Sequence, residues 1–324
     1  MKIFRHYQDV TDAYKGAVIA VGNFDGVHLG HQAVIAEARR LADERGCLLG
    51  VLAFEPHPQE YFRPSPESFR LTPFRTKARL IAEQGAEVMF ALAFDKEMAE
   101  KSAQDFVLEV LVGALGAGHI VVGSDFQFGK GRAGNTTTLS YMGEMEGFGV
   151  TVFDPVTAEG RDKISSTRIR DALKAGKPQD AAALLGHWWT IESRVEHGAK
   201  QGRKLGFPTA NMHVVDYLKP AFGVYAVRAT VIEDDKPVST HDGVANFGIR
   251  PMTMFKTDSP LLETFLFDFS GDLYGKHLAV ELVAYLRPEA KFDGLDALKV
   301  QMAKDSDAAR LALKGTKLPP ILAV

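Results

Sequence analysis

Two histidines three positions apart, His28 and His31, are the side chains of this sequence best placed for chemistry. They belong to the string GNFDGVHLGHQ at residues 22–32, in which three glycines allow tight turns and close approach to a ligand. Imidazole donors beside the unpaired amides of a helix start suit a phosphate that gains negative charge during attack. Removing one such donor typically costs about 3 kcal/mol of transition-state stabilisation. The motif therefore predicts phosphate chemistry.

The residues around this motif predict a strand, a turn and a helix. Residues 17–21 (AVIAV) are typical of a buried parallel strand, and residues 32–45 have a helical period that Gly46 ends. A metal site is a weaker reading of the histidine pair, since neither an HExxH pattern nor a nearby cysteine accompanies it. Ordinary helix capping by the histidines stays open as an alternative.

The first half of the chain alternates predicted strands and helices. Further strand candidates are residues 47–54, 86–94, 119–129 and 149–156, and Ser102 with Asp105 predicts a helix start. This order indicates a parallel sheet, in which ligands bind beyond the carboxyl ends of the strands. The loops at those ends contain Asn23, Phe24, Asp25, residues 55–62 with His57 and Phe62, Asp95, and residues 125–132 with Asp125 and Phe128. The aromatic residues could stack a flat ligand or only anchor their loops in the core.

A second basic string, RDKISSTRIRDALKAG, enters a helix through three hydroxyl residues. Ser165, Ser166 and Thr167 are natural helix caps, and capping alone would explain them. Arg168 carries a planar fork of donors that suits phosphate oxygens, although it could also be an exposed helix charge.

From about residue 184 the sequence predicts a different architecture. Strand-like segments separated by short turns favour a small antiparallel barrel or sandwich. They are residues 190–195, 224–232, 243–247, 262–269 and 278–286. A terminal helix is predicted over residues 295–313, with Leu295, Leu298, Met302 and Ala309 facing inward. With 324 residues the chain is long enough for two domains, which we place at 1–184 and 185–324.

The string HGAKQGRKLGFPTANM is the most informative part of this second half. Its glycines and basic residues, among them Gly202, Lys204 and Gly206, could fold over phosphates or form only a solvated hairpin. Thr209 and Asn211 are two residues apart, so an extended backbone directs both side chains to one face. A hydroxyl and an amide there could reach a magnesium ion and its phosphates.

Composition limits the class of protein. The formal net charge of -3 argues against a nucleic-acid binder that uses a broad basic face. Cys47 is the only cysteine, which excludes an internal disulfide and favours a reducing compartment. Neither a signal-peptide pattern nor an uncharged membrane-spanning stretch is evident, so we expect a cytoplasmic protein.

These motifs together resemble a known family. HLGH resembles the HxGH signature of nucleotidylyltransferases, and FEPHP, VGSDFQFGKGRAGN and ISSTRIR follow in the order found in the bifunctional riboflavin kinase/FMN adenylyltransferase (bacterial FAD synthetase) family. GFPTAN resembles the riboflavin kinase signature. The resemblance implies a Rossmann-like N-terminal HxGH domain with a parallel sheet, and a C-terminal antiparallel barrel with a terminal helix. Asn135, Met252 and Phe265 depart from the family pattern.

The resemblance also implies roles for residues. Riboflavin would be phosphorylated to FMN in the C-terminal domain, and FMN adenylylated to FAD, with release of pyrophosphate, in the N-terminal one. The catalytic residues would be His28, His31 and Glu263, although by pattern alone Glu263 is better read as an outward-facing strand residue. The remaining implied binding residues are Gly22, Asn23, Phe24, Asp25, His57, Phe62, Asp125, Phe128, Ser166, Thr167 and Arg168 for adenylyl transfer, Gly202, Lys204, Gly206 and Arg310 for the kinase, and Thr209 and Asn211 for magnesium with ATP.

The expected ligands are ATP, magnesium, riboflavin, FMN and FAD. We expect no nucleic-acid or membrane partner, and transient contact with apo-flavoproteins is a further candidate. Three rival functions remain: a monofunctional nucleotidylyltransferase with a silent barrel, an aminoacyl-tRNA-synthetase-like protein, and a flavin-responsive binding protein without enzymatic activity. The net negative charge and the lack of a KMSKS-type loop count against an aminoacyl-tRNA-synthetase-like protein.

Overall fold

The structure, a computed structural model, describes residues 1–154, 163–197, 206–234, 236–249 and 260–318. The strands of the first half are β1 (Lys2–Phe4), β2 (Val18–Val21), β3 (Leu49–Glu55), β4 (Val88–Ala93), β5 (His119–Gly123), β6 (Gln127–Phe128), β7 (Gly134–Asn135) and β8 (Gly149–Phe153). Its helices are α1 (Leu29–Arg45), α2 (Pro58–Phe62), α3 (Phe74–Glu83), α4 (Lys96–Glu100), α5 (Ala103–Asp105), which continues as a π-helix over Phe106–Ala114, and α6 (Thr136–Glu146).

Six of these strands form a sheet in the order β1-β4-β3-β2-β5-β8, and every neighbouring pair is parallel. The predicted parallel sheet is confirmed. Strand β1 was not predicted, because three residues at an edge are too few to show a periodic pattern. Ser102 caps α5 as predicted, since its Oγ accepts the Asp105 amide at 3.0 Å.

Alternate residues of the strands pack on opposite faces of this sheet. Ile19 and Phe90 belong to an apolar cluster with the π-helix, whereas Ala20 and Val51 belong to a second cluster with α1. Because both faces are covered, the central strands β2 and β4 are apolar throughout, and many polar side chains lie in the loops at the strand ends.

The second half contains α7 (Ser166–Lys174), α8 (Pro178–Leu185) and α9 (Leu295–Leu313). Its strands are β9 (Thr190–Arg194), β10 (Ala210–His213), β11 (Gly223–Glu233), β12 (Lys236–Ile249), β13 (Pro260–Leu266) and β14 (His277–Arg287). They form an antiparallel sheet in the order β10-β13-β12-β11-β14-β9. A bridge between Glu196, just after β9, and Asn211 in β10 nearly closes this sheet into the predicted barrel.

The terminal helix α9 has the predicted bounds, but one predicted inward residue is wrong. Ala309 is fully buried, whereas Leu295 is 64% exposed. Leu295 is the first residue of the helix, and the buried side of α9 lies further along, where the Asp305 carboxylate accepts two hydrogen bonds from Arg287, at 2.8 and 2.6 Å.

The contacts divide the chain into two units. One contains Met1–Pro66 and Thr72–Ile164, and the other contains Glu67–Leu71 and the chain from Ser165 onward. The short segment Glu67–Leu71 packs within the second unit, where the Trp189 indole donates to the Leu71 carbonyl at 2.8 Å. The Leu218 amide donates to the Arg70 carbonyl at 2.7 Å. Across the residues that the structure describes, none of the helices combines the length and apolar character that crossing a membrane requires.

Candidate active sites

The HLGH motif forms the turn from β2 into α1. His28 is the N-cap of α1, and its Nδ1 accepts the amide of His31 at 3.3 Å. The two imidazoles are stacked with ring centroids 3.6 Å apart. The capping alternative is therefore correct for His28, and the cap is made by its Nδ1. Because Nδ1 accepts, the proton of a neutral imidazole resides on Nε2, which is a donor.

Gly30 makes this arrangement possible. A Cβ atom at residue 30 would lie 3.1 Å from Cε1 of His28 and 3.9 Å from the carbonyl oxygen of Ile164. A side chain at position 30 would therefore require the His28 ring to shift by a few tenths of an ångström. The Ile164 contact also brings the beginning of the ISSTRIR string beside the turn.

The predicted residues between β2 and His28 have unequal environments. Asn23 is exposed, whereas Phe24 and Asp25 are buried. The Phe24 ring makes an edge contact with His31 at 5.2 Å between centroids, so it supports the imidazole from inside. The Asp25 carboxylate accepts the Thr72 amide at 3.0 Å. Sequence reasoning missed Thr72, because nothing in the string LTPF indicates a partner 47 residues away.

The predicted aromatic residues belong to a continuous series of ring contacts. Phe62 is 62% exposed and packs against Tyr61 and Phe94, with centroids 5.2 and 5.7 Å apart. Phe128 is instead buried between Phe126 and Phe106, at 5.4 and 5.7 Å. Phe62 therefore offers a surface for stacking, while Phe128 supports the loop from the core.

The other predicted residues of the first site lie at helix starts or in loops. His57 is the N-cap of α2 and accepts the Gln59 amide at 3.1 Å. Asp125, after β5, pairs with Lys163 at 2.6 Å, which ties the loop to the residue preceding the ISSTRIR string. Ser166, Thr167 and Arg168 form the first turn of α7, capped by Ser165. Their role as phosphate contacts stays a prediction.

Thr209 and Asn211 line a pocket in the second unit. The other lining residues are Val195, Pro208, Ala210, Thr264, Leu266, Phe269, Gly271, Asp272, Leu273 and Tyr274. The Asn211 amide donates to the Thr209 carbonyl at 3.3 Å. The side-chain oxygens of the pair are hard donors of the kind that magnesium prefers. The donor set is therefore chemically compatible with a magnesium ion.

Glu263 lies in β13 directly opposite Asn211 of β10 and opposite Asn246 of β12. Residues directly opposite in an antiparallel pair project to the same face, with Cβ atoms about 4.5–5.5 Å apart. The barrel thus aligns an amide, a carboxylate and a second amide in one row. Asn246 was not predicted, because only the register reveals that it is a neighbour.

The remaining kinase predictions differ in how far the structure describes them. Gly206 has a left-handed φ of +86°. Arg310 pairs with Asp268 at 3.0 Å and lies over the Phe267 ring at 4.1 Å, and the adjacent carboxylate raises its pKa. Phe265 contacts the rings of Phe207 and Phe267. Gly202, Lys204 and Met252 lie outside the described residues.

Comparison with known proteins agrees with this arrangement. Residues 10–168 match the family model for FAD synthetase, and residues 185–313 match that for riboflavin kinase. The bifunctional riboflavin kinase/FMN adenylyltransferase of Listeria monocytogenes is 40% identical over 95% of this chain and 96% of the relative. The protein of the same name from Escherichia coli is 39% identical over 96% and 97%.

The chain belongs to the bifunctional riboflavin kinase/FMN adenylyltransferase family. It is therefore an enzyme with a riboflavin kinase activity in its C-terminal half and an FMN adenylyltransferase activity in its N-terminal half. ATP, riboflavin, FMN and FAD are the substrates and products that fit this family.

A solved structure shares the fold over nearly the whole chain. The crystal structure titled macrolide-efflux protein, from Streptococcus pneumoniae, has a TM-score of 0.81 and 28% sequence identity, and covers 95% of this chain and 98% of its own. The efflux function in that title belongs to that protein.

Proposed function

We propose that Glu263 is the general base of the riboflavin kinase reaction. It takes the proton of the riboflavin 5′-hydroxyl as the oxygen attacks the γ-phosphorus of ATP, and the bond to the β,γ-bridging oxygen breaks to release ADP. The observation that carries this assignment is the register that places Glu263 opposite Asn211. Thr209 and Asn211 would hold magnesium. When bound with ATP, the magnesium ion would neutralise negative charge on the phosphates.

In the N-terminal half, the phosphate of FMN attacks the α-phosphorus of a second ATP. A phosphorus–oxygen bond to FMN forms, and the bond to the pyrophosphate leaving group breaks. The Nε2–H of His28, together with His31 and the first amides of α1, stabilises the charge that develops on the α-phosphate. What supports this role is the stacked histidine pair at the start of the 17-residue helix.

The residue assignments are tested by following flavins in the intact protein. Purified protein is incubated with riboflavin and Mg-ATP, and riboflavin, FMN and FAD are separated chromatographically. Glu263→Gln is expected to lower riboflavin phosphorylation about 10²–10⁴-fold. It should still convert added FMN to FAD. The variant His28→Ala/His31→Ala should accumulate FMN.

Each variant is thus the folding control for the other, because each retains one activity. If Glu263→Gln phosphorylated riboflavin at the normal rate, the base assignment would be wrong. If the paired histidine variant still produced FAD, the adenylyl-transfer assignment would be wrong.

We also propose that the functional boundary lies at 184/185 and that the protein works in the cytoplasm. The first proposal is supported by family matches that end at residue 168 and begin at residue 185. The second is supported by the use of a single cysteine, which is typical of reducing compartments.

A further inference from the structure

The turn that carries His28 has an unusual backbone. Phe24 and Val27 have positive φ angles of 51° and 43°, and Gly26 between them has 88°. The left-handed region is unfavourable for non-glycine residues and most of all for a β-branched one such as valine. Backbone of this kind persists only where surrounding interactions hold it.

Thr72 supplies several of those interactions, alongside the hydrogen bond from the Val27 amide to the Phe24 carbonyl at 3.2 Å and the one from the Gln32 side-chain amide to the Val27 carbonyl at 2.8 Å. Its backbone amide donates to Oδ1 of Asp25 at 3.0 Å, and its Oγ1 lies 3.4 Å from the same oxygen. The amide of Gly26 donates to Thr72 Oγ1 at 2.9 Å. Thr72 is 1% exposed and Asp25 is 2% exposed, so water does not compete with these hydrogen bonds.

The turn at residues 24–27, which Thr72 holds, leads directly to both histidines. Val27 precedes His28, the N-cap of α1, and the Phe24 ring contacts the ring of His31. A change in the conformation of residues 24–27 therefore moves the donor on His28 and the support of His31 together. Donors aimed at a transition state have to be placed to a fraction of an ångström.

We propose that Thr72 is a positioning residue for adenylyl transfer. Its hydroxyl and amide hold the turn at Asp25 and Gly26. The conformation of this turn then positions His28 and His31 against the reacting phosphate. This inference rests on the proposed role of the histidine pair. It assigns to Thr72 an effect on turnover and not on substrate binding.

The test compares Thr72→Val, Thr72→Ser and Thr151→Val in the full chain, with steady-state kinetics of FMN adenylylation and of riboflavin phosphorylation. Valine has the shape of threonine but cannot accept the Gly26 amide. We expect Thr72→Val to lower kcat for FMN adenylylation about 10²-fold, the loss typical of a slight misplacement, with KM for FMN and ATP unchanged. Thr72→Ser retains the hydroxyl and should restore most of the rate.

Thr151→Val is the matched control in the same unit. It removes a hydroxyl that is 2.8 Å from the ring of His119, but it does not touch the turn. Its kcat for FMN adenylylation should be normal, and all three variants should phosphorylate riboflavin at the normal rate.

Results of two kinds would overturn the inference while leaving the histidine assignment intact. One is a normal kcat in Thr72→Val while His28→Ala/His31→Ala is inactive. The other is an equal loss in Thr72→Val and Thr151→Val, or a parallel loss of kinase activity, which indicates a general structural effect. Full adenylylation by His28→Ala/His31→Ala would overturn the histidine assignment and this inference with it.

Discussion

Gly30 shows how one missing side chain determines the position of another. Its backbone lies where the His28 ring folds back over the start of α1, and a Cβ atom would come within 3.1 Å of that ring. The ring cannot stay there without a shift, because contacts this short lie inside the van der Waals distance. The glycine of the motif is thus explained by the histidine beside it and not by a special backbone conformation.

We predict that Gly30→Ala lowers FMN adenylylation about 10²-fold through displacement of His28. Stability should not fall in parallel, since alanine has a higher helix propensity than glycine. Adenylylation, kinase activity and the urea midpoint are measured for the same preparation. Ala36→Ser adds one atom to the exposed side of α1 and is the control. A normal adenylylation rate in Gly30→Ala would show that the imidazole tolerates the methyl group.

At the scale of elements, β5, β8 and α1 meet at a buried histidine. His119 is 6% exposed, its Nδ1 is 2.8 Å from the Arg45 guanidinium, and its Nε2 is 2.8 Å from the Thr151 hydroxyl. Because arginine only donates, Nδ1 accepts and the proton is on Nε2, so the ring is neutral. Burial, and then the charge of Arg45, lower the pKa of His119, while Glu37 opposes them.

The lowered pKa predicts a loss of stability in mild acid. Below about pH 6.5 the unfolded chain binds a proton at this histidine, whereas the folded chain does so only at lower pH. The free energy of unfolding should therefore decrease as the pH falls from 7.5 to 5.5. In the His119→Gln variant this decrease should be smaller. Urea titrations at both values measure this difference. His6→Gln, which removes an exposed histidine, gives the baseline, and equal pH dependence in all three proteins would contradict the prediction.

At the scale of the whole molecule, the segment Glu67–Leu71 belongs to the second unit although it lies in the first half of the sequence. Within that unit it accepts hydrogen bonds from the Trp189 indole and the Leu218 amide. Helix α8 contributes Ala182 to the same apolar cluster as Trp188 and Ala309. The barrel strands alone therefore lack part of the packing that surrounds them in the full chain.

We predict that a fragment of residues 185–324 loses riboflavin kinase activity at a lower urea concentration than the full chain does. The fragment leaves buried donors of Trp189 and Leu218 without their acceptors, which typically costs about 1–3 kcal/mol for each group. A fragment of residues 165–324, which regains α7 and α8, should have an intermediate midpoint. Equal midpoints for all three proteins would show that these contacts contribute nothing to stability.

Local patterns in the sequence were sufficient for most of the elements. The helical period ended by Gly46, the capping of α5 by Ser102 and the bounds of α9 all follow from interactions within a few residues. The same is true of the HLGH turn, whose neighbours along the chain define it, whereas the local sequence did not distinguish the exposed Phe62 from the buried Phe128. Strand β1 and the exposure of Leu295 were missed, because a three-residue edge strand and a first helical residue carry little pattern.

By itself, therefore, the sequence determined the two classes of fold, the order of the motifs and the chemistry that those motifs share with a family. Only the tertiary structure decided which distant residues meet: Thr72 with Asp25, Glu263 with Asn211 and Asn246, and Leu71 with Trp189. Strand register depends on burying Leu262 and Leu266 on the inner side of the barrel, and that choice is made by all the strands together. Long-range partners are set by the packing of the whole chain, which no short stretch of sequence contains.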